Sequence, residues 1–402
     1  MISNEFKELL SYKTFCTFLV LRILSITSYQ ILVVVLAWQL YDLTSSVWDL
    51  GLIGLFQFIP ALLLSLPAGQ IVDRFHKGKI LVFCFIFQSL VGIFLFYSTA
   101  HNFITKEIIF LLVSVLGVTR AFQMPSQQSL TPALVPKKIL QNAVALSSTT
   151  MHTAIIVGPA IGGFLYILGP DKVYLICSIL FFVASILSTL IKYEYSPNKF
   201  RISFAGLFEG IKFVWGNKTV LGAISLDLFA VFLGGATALL PVFAKDILQT
   251  GPEGLGILRA SPALGALICA LIITQWPMKD KVGKKLFLSV TIFGAAMLVF
   301  ALSTNFLLSA VALAISGAAD SLSVVIRMTL IQLETPDSLR GRVSSVNAIF
   351  IGASNELGEF ESGATAAIFG PVGSVIFGSI GTLLVVAVWA KNYPSLFSRN
   401  KL

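Results

Sequence analysis

The chain has 402 residues, of which 56% are apolar and only 12% are charged, and its mean hydropathy is +0.90. Soluble domains average roughly 45–50% apolar and about 25% charged residues, so the composition excludes an ordinary water-soluble fold. It also excludes a disordered chain, which is poor in apolar residues, and an outer-membrane barrel, whose strands alternate apolar and polar residues. The formal net charge of +9 arises in short loops between apolar runs, which favours a membrane-topology signal over nucleic-acid binding.

Twelve apolar segments follow one another along the chain, each long enough to cross a bilayer as a helix of about 20 residues. In chain order they span residues 15–41, 50–72, 80–100, 106–127, 141–168, 173–191, 219–244, 254–276, 285–303, 306–331, 343–368 and 372–390. We therefore predict an all-α membrane protein with twelve transmembrane helices in two pseudo-symmetric six-helix bundles, 1–195 and 219–402. The linker between them, 196–218, is predicted to be cytoplasmic and to contain a short amphipathic helix lying on the membrane surface.

Basic residues indicate the orientation of these segments. Most of the 28 Lys and Arg residues lie in alternate loops on one side, whereas the loops on the other side hold only Lys106, Lys172 and Lys245. Because positively charged loops stay in the cytoplasm, both termini of this multi-pass protein are predicted to be cytoplasmic.

The two halves carry a weak internal repeat. With an offset of 200 residues, identical residues recur at topologically equivalent positions, among them Gly117 and Gly317, Pro136 and Pro336, and Gly163 and Gly363. A similar loop also recurs, DRFHKGK at 73–79 and DKVGKK at 280–285. Parallel six-helix repeats around a central cavity are typical of transporters.

The loop after the second segment, GQIVDRFHKGK at 69–79, combines a glycine for helix contact with a carboxylate and a basic cluster. It is similar to the loop signature of the major facilitator superfamily, and the resemblance extends over essentially the whole chain. The resemblance implies that this carboxylate and its basic neighbours latch the two halves together in one conformation. The latch residues so predicted are Gly69, Asp73, Arg74, Lys77 and Asp280. The alternative is a loop that only orients the protein in the membrane.

The fifth segment contains GPAIGG, in which Gly158, Pro159, Gly162 and Gly163 resemble a signature that the superfamily associates with exporters. Small residues on one face let helices approach closely, and a proline permits bending. The motif therefore favours an exporter, with simple helix packing as the alternative interpretation.

Charged residues inside apolar segments cost roughly 2.5–3.5 kcal/mol at the bilayer centre on insertion scales, and so they mark candidate functional sites. Arg120 in the fourth segment matches a buried arginine of the superfamily that is often tied to proton transfer. The 200-residue offset relates Arg120 to Asp320 in the tenth segment. We expect both to face the cavity, the alternative for Arg120 being a purely structural ion pair.

The eleventh segment is unusual because SNELGEFESG places Glu356, Glu359 and Glu361 within apolar sequence. Glu356 and Glu359 are three residues apart and share a helix face, whereas Glu361 points largely the other way. Clustered carboxylates titrate as a coupled group, which suits a proton-coupled carrier. The alternative is that one or more lie at the interface and are simply solvated.

Arg22 and Arg259 are single cations in otherwise apolar segments. Together with Gln30 they are predicted to line a cavity for an anionic or strongly hydrogen-bonding ligand. For Asp227 and Arg327 two positions stay open, the cavity or the water interface at the cytoplasmic helix ends.

No cofactor is expected, because the three His residues lack ligand spacing and the sequence contains neither a Walker loop nor a Ser-His-Asp arrangement. We therefore predict a carrier, not an enzyme, that is driven by a proton gradient and has no metal site.

A narrower resemblance rests on AWQLYDLTSS, LPAGQIVDRF, LRASPALGAL and RGRVSSVN with SNELGEFESG. These motifs resemble the enterobactin-exporter group of bacterial siderophore secretion proteins. The resemblance implies a proton antiporter of the inner membrane that exports a small, siderophore-like molecule. The four arginines within the apolar segments suit an acidic ligand, and we expect a monomer without a nucleic-acid partner. The alternatives are multidrug or macrolide efflux, solute or lipid uptake, and, from another class, a non-transporting membrane receptor.

Overall fold

A computed structural model describes residues 8–9, 11–193, 204–275, 280–336 and 339–401. These residues are almost entirely helical, and none of them forms a strand. Part of the predicted linker, 196–203, and its boundary with the first bundle at 195 lie outside the described residues. The exact domain limits therefore remain predictions.

The first half of the chain forms six long helices whose bounds are α1 Lys13–Thr44, α2 Val47–Arg74, α3 Lys77–Ala100, α4 Lys106–Leu130, α5 Leu140–Leu165 and α6 Pro170–Thr189. The second half contains α7 Phe204–Gly216, α8 Lys218–Gly234, α9 Pro252–Gln275, α10 Val282–Leu302, α11 Phe306–Glu334, α12 Arg340–Asn392 and the short α13 Pro394–Phe397. A five-residue π-helix, Phe243–Ile247, lies between α8 and α9.

Eleven helices within the described residues are long and apolar enough to cross a membrane. The longest, α12, changes direction at Gly370, where φ is +76° and ψ is 164°, and Pro371 follows directly. Proline and a left-handed glycine both end regular helix geometry, so α12 consists of two limbs. These limbs correspond to the predicted segments 343–368 and 372–390, which confirms the prediction of an all-α membrane protein with twelve spans.

The chain divides into two compact units, one formed by Met1–Ser45 with Phe56–Arg201 and the other by Ser46–Leu55 with Ile202–Leu402. The beginning of α2 therefore belongs to the second unit, where it crosses α12. A Cβ atom at Gly51 would lie 2.9 Å from the Cα of Gly363. Only glycine at this crossing lets the two helix backbones approach so closely.

Equivalent glycines make equivalent helix crossings in the two units. Gly117 of α4 packs against the backbone of Gln57 in α2, and Gly317 of α11 packs against the backbone of Pro262 in α9. The internal repeat that relates Gly117 to Gly317 thus has a packing basis in each unit. Large apolar side chains such as Phe83 and Leu271 remain exposed on the outer helix surfaces, where acyl chains would contact them.

Candidate functional site

A buried ion pair lies inside the second unit, between Asp227 of α8 and Arg327 of α11. The Arg327 side chain is only 2% exposed and the Asp227 side chain 8%. Protein therefore encloses both side chains almost completely. The Nε atom of Arg327 is also buried and makes no hydrogen bond to any described residue.

Two more polar residues of α11 lie on the same helix face as Arg327. Asp320 and Ser323 precede Arg327 by seven and four residues, a spacing that stacks side chains along one side of a helix. Together with Asp227 they line a small cavity between α8, α10 and α11, whose other walls include Val290 and Phe293. The cavity has room for about one water-sized species.

The polar groups of this cavity are incompletely satisfied. Ser323 is 2% exposed, and its Oγ has no hydrogen-bond partner among the described residues. The carboxylate of Asp320 lies on the wall of the same cavity. Two carboxylates and one hydroxyl group therefore line a space that a proton or another small cation could occupy, and one of the carboxylates is paired with the Arg327 guanidinium. We refer to Asp227, Asp320, Ser323 and Arg327 as the carboxylate cluster.

Arg259 of α9 lies at the level of Asp320. The antiparallel crossing of α9 and α11 sets Gly265 against Ala314 and Pro262 against Gly317, and the same register continued by one turn sets Arg259 opposite Asp320. Arg259 is half-buried. It is therefore the charged residue that α9 contributes nearest to the carboxylate cluster.

In the first unit, the predicted cationic residues rest on neighbouring helices. Arg22 is 8% exposed, and its guanidinium donates hydrogen bonds to Ser147 Oγ and, at 3.4 Å, to Met151 Sδ, both on α5. Arg120 donates to the hydroxyl of Tyr29 on α1 at 3.4 Å and lies 5.6 Å from the centre of its ring. Arg22 therefore links α1 to α5, and Arg120 links α4 to α1.

A chain of glutamines in the first unit was missed by the sequence analysis. Gln88 of α3 donates to Thr119 Oγ1 at 3.0 Å and to Gln123 Oε1 at 2.7 Å on α4. Gln127 of α4 donates to Ser25 Oγ of α1 at 3.3 Å. The available signal was the amide itself, because a glutamine in apolar sequence such as FCFIFQSLV needs a polar partner in hydrocarbon.

The GPAIGG motif forms the contact of α5 with α1. A Cβ atom at Gly158 would lie 2.6 Å from the Cβ of Gln30, and one at Gly162 would lie 3.0 Å from the Cα of Ile31. Pro159 and Gly163 are buried within the continuous helix α5. Close helix packing is therefore a demonstrable role of the motif, and it fixes Gln30 at this crossing.

The three glutamates of α12 are half-buried. Glu359 lies beside the first turns of α2, since a Cβ atom at Gly54 would be 3.1 Å from Glu359 Oε2. At the same crossing of α2 and α12, the rings of Trp48 and Phe360 meet edge to face with their centres 5.5 Å apart. Glu359 is therefore held against α2, whereas the carboxylate cluster lies among α8, α10 and α11.

The predicted latch loop is anchored to the end of α6. The backbone N–H of Lys77 donates to the hydroxyl of Tyr193 at 2.9 Å, and the His76 and Tyr193 rings contact each other at a tilt of 40°, with their centres 4.5 Å apart. This contact of Tyr193 with the loop was not predicted from the sequence. Gly69, Asp73 and Arg74 lie in the last turns of α2, and Asp280 lies two residues before α10. Their role as a latch stays a prediction.

Comparisons with known proteins agree with this architecture. A family of transmembrane secretion effectors matches residues 8–396. The enterobactin exporters EntS of Escherichia coli O1:K1 and Salmonella typhi are 25% and 24% identical over 372 residues, covering 90% of this chain and 88% of each relative.

Solved structures of transporters share the fold. An inward-facing bacterial homologue of the iron transporter ferroportin has a TM-score of 0.74 at 15% identity and covers 96% of this chain and 99% of its own. An inward-facing bacterial homologue of the human lysosomal transporter Spinster has a TM-score of 0.72 at 14% identity and covers 96% of both chains. The prediction of a membrane transporter rather than an enzyme is thereby confirmed. The chain belongs to the transmembrane secretion effector family, within the major facilitator superfamily.

Proposed function

We propose that this protein exports a small acidic molecule across the bacterial inner membrane in exchange for protons, by alternating access. The observation that carries the proposal is the carboxylate cluster, in which Asp320 faces a small cavity beside a buried ion pair. A carboxylate in a membrane interior is costly when charged, so proton binding changes the stability of its surroundings substantially. The names of the curated relatives support a siderophore-like substrate.

Proton binding at Asp320 drives transport because the two access states hold that proton with different affinity. A bound proton can shift a conformational equilibrium only by this difference. Asp227 and Arg327 compensate each other, so Asp320 is the member of the cluster whose charge is free to change. Glu356 and Glu359 are second candidates for the same task.

The substrate faces cationic and amide side chains in this proposal. Arg22, Gln30, Arg120 and Arg259 supply the positive charge and hydrogen-bond donors that a catecholate or polycarboxylate ligand requires. Gly69, Asp73, Arg74, Lys77 and Asp280 act as the conformational latch. Both termini lie in the cytoplasm, the protein works as a monomer, and it needs no cofactor besides the proton gradient.

Transport into proteoliposomes tests the proposal, with enterobactin as the probe and an acidic vesicle lumen as the driving force. The unmodified protein is expected to accumulate enterobactin until an uncoupler dissipates the gradient. Asp320→Asn is expected to abolish the accumulation, because the amide cannot release a proton. Glu107→Gln, which neutralises an exposed carboxylate at the start of α4, is the matched control and should transport normally.

Two outcomes would contradict parts of the proposal separately. If Asp320→Asn keeps gradient-driven accumulation while the double variant Glu356→Gln, Glu359→Gln loses it, the proton is carried on α12. If the unmodified protein accumulates enterobactin equally with and without a pH gradient, proton antiport is wrong.

A further inference from the structure

A groove lies in the first unit, at one end of α3 and α6. It has a volume of about 550 Å³, and its lining includes Lys79, Val82 and Phe83 of α3 and Ile191, Lys192 and Tyr193 after α6. This is the side of the protein that the distribution of basic residues assigns to the cytoplasm. The groove therefore opens where the cytoplasmic leaflet of the membrane would meet the protein.

The rim of the groove is positively charged. Lys79 and Lys192 are exposed, and the ammonium group of Lys77 lies 5.8 Å from the centre of the Tyr193 ring. The pKa of His76 is lowered, first by burial of its ring and then by the charges of Lys79 and Lys77. The charges of Lys77 and Lys79 therefore act on the His76 ring at the rim of the groove. None of the described lining residues is acidic.

The wall of the groove is apolar and continues into the outer surface of the bundle. Phe83 is 64% exposed, and Leu190, which directly follows α6, is 55% exposed. Such side chains are stable in a membrane only when acyl chains cover them. One end of the groove thus suits an anion and the other suits hydrocarbon.

We propose that this groove binds an anionic phospholipid of the cytoplasmic leaflet. The headgroup phosphate lies between Lys79 and Lys192, and an acyl chain runs along Val82 and Phe83. Basic pockets between membrane helices on the cytoplasmic side recognise anionic headgroups through their positive potential. A zwitterionic lipid offers the same acyl chains but no net negative charge, so it gains nothing from the lysines. The proposal does not depend on the transported substrate.

Native mass spectrometry of the purified full-length protein tests the site with dioleoylphosphatidylglycerol, using dioleoylphosphatidylcholine as the neutral reference. Each lysine near a membrane surface is worth about fivefold in binding an anionic lipid, so Lys79→Gln with Lys192→Gln should weaken phosphatidylglycerol binding about 25-fold. The matched control is Lys137→Gln with Lys138→Gln, which removes two exposed lysines on the same side. This control should bind phosphatidylglycerol as the unmodified protein does.

Equal loss in the two double variants, or equal binding of the two lipids by the unmodified protein, would overturn the proposal. If the Lys79, Lys192 double variant fails to fold, each single variant carries the test with an expected loss of about fivefold.

Histidine NMR in nanodiscs provides a second readout. Replacing phosphatidylcholine by phosphatidylglycerol is expected to raise the pKa of His76, because the bound phosphate offsets the charges of Lys77 and Lys79. An unchanged pKa response of His76 in the Lys79, Lys192 double variant would refute a specific lipid site.

Discussion

Breaking the buried ion pair gives the sharpest test of the second unit. Asp227→Asn removes one charge and leaves the Arg327 guanidinium in place, with 2% of its side chain exposed and Nε already without a hydrogen-bond partner in the described structure. Water cannot reach the uncompensated cation. Removal of one partner from a buried pair costs about 3–5 kcal/mol, and we expect a loss of this size in the free energy of unfolding.

The assay is unfolding in mixed micelles with increasing dodecyl sulfate, followed by tryptophan fluorescence. The matched control is Glu334→Gln, which removes the carboxylate that lies 2.6 Å from Arg399 in a pair whose side chains are 24% and 32% exposed. A pair of that kind contributes about 0–1 kcal/mol. The reasoning is refuted if Asp227→Asn is no more harmful than Glu334→Gln. It is also refuted if the double variant Asp227→Leu, Arg327→Leu is as unstable as the single variant, because apolar replacement of both partners leaves no buried charge.

Three further predictions concern packing, electrostatics and backbone conformation. Gly317→Val should destabilise the protein by about 1–3 kcal/mol, because the valine side chain would overlap the Pro262 carbonyl. The control is Gly352→Ala, since a Cβ atom at Gly352 meets nothing within 4 Å. Unfolding in dodecyl sulfate measures the stability of both variants. Lys79→Gln should raise the pKa of His76 towards that of free histidine, since it removes a positive charge that disfavours the imidazolium; NMR titration checks this, and a lowered pKa would contradict it. Gly370→Ala should lower the free energy of unfolding by about 1–3 kcal/mol, because φ at this position is +76°, which strains a residue with a Cβ atom. If Gly370→Ala unfolds with the same free energy as Gly352→Ala, the break in α12 is unstrained.

The transmembrane spans could be predicted from sequence because each must be almost wholly apolar along its length. The break within α12 was also predictable, since Gly370 and Pro371 interrupt two apolar runs of suitable length. The sequence contains no comparable signal for the neighbours of each helix. The first turns of α2 pack on α12 through Gly51 and Gly363, and hydropathy carries no information about that choice.

The candidate site was predicted only in part for the same reason. Asp320 was recognised because the internal repeat relates it to Arg120. Asp227 and Arg327 were left between two positions, since their pairing joins residues about 100 positions apart on α8 and α11. The helical periodicity does carry one signal, because Asp320, Ser323 and Arg327 share one face of α11. A single polar face in an apolar helix predicts a polar partner elsewhere in the bundle.

Within the proposed mechanism, the ion pair of the carboxylate cluster stabilises the fold, and Asp320 binds and releases the proton. The Asp227–Arg327 pair carries no net charge, so the bundle can keep both residues ionised in every access state without exposing either to hydrocarbon. Asp320 adds one carboxylate to this neutral pair, and a proton is the smallest species that can cancel its charge inside a cavity of about one water. We therefore expect Asp320, and not the Asp227–Arg327 pair, to change its protonation state while the carrier changes its access.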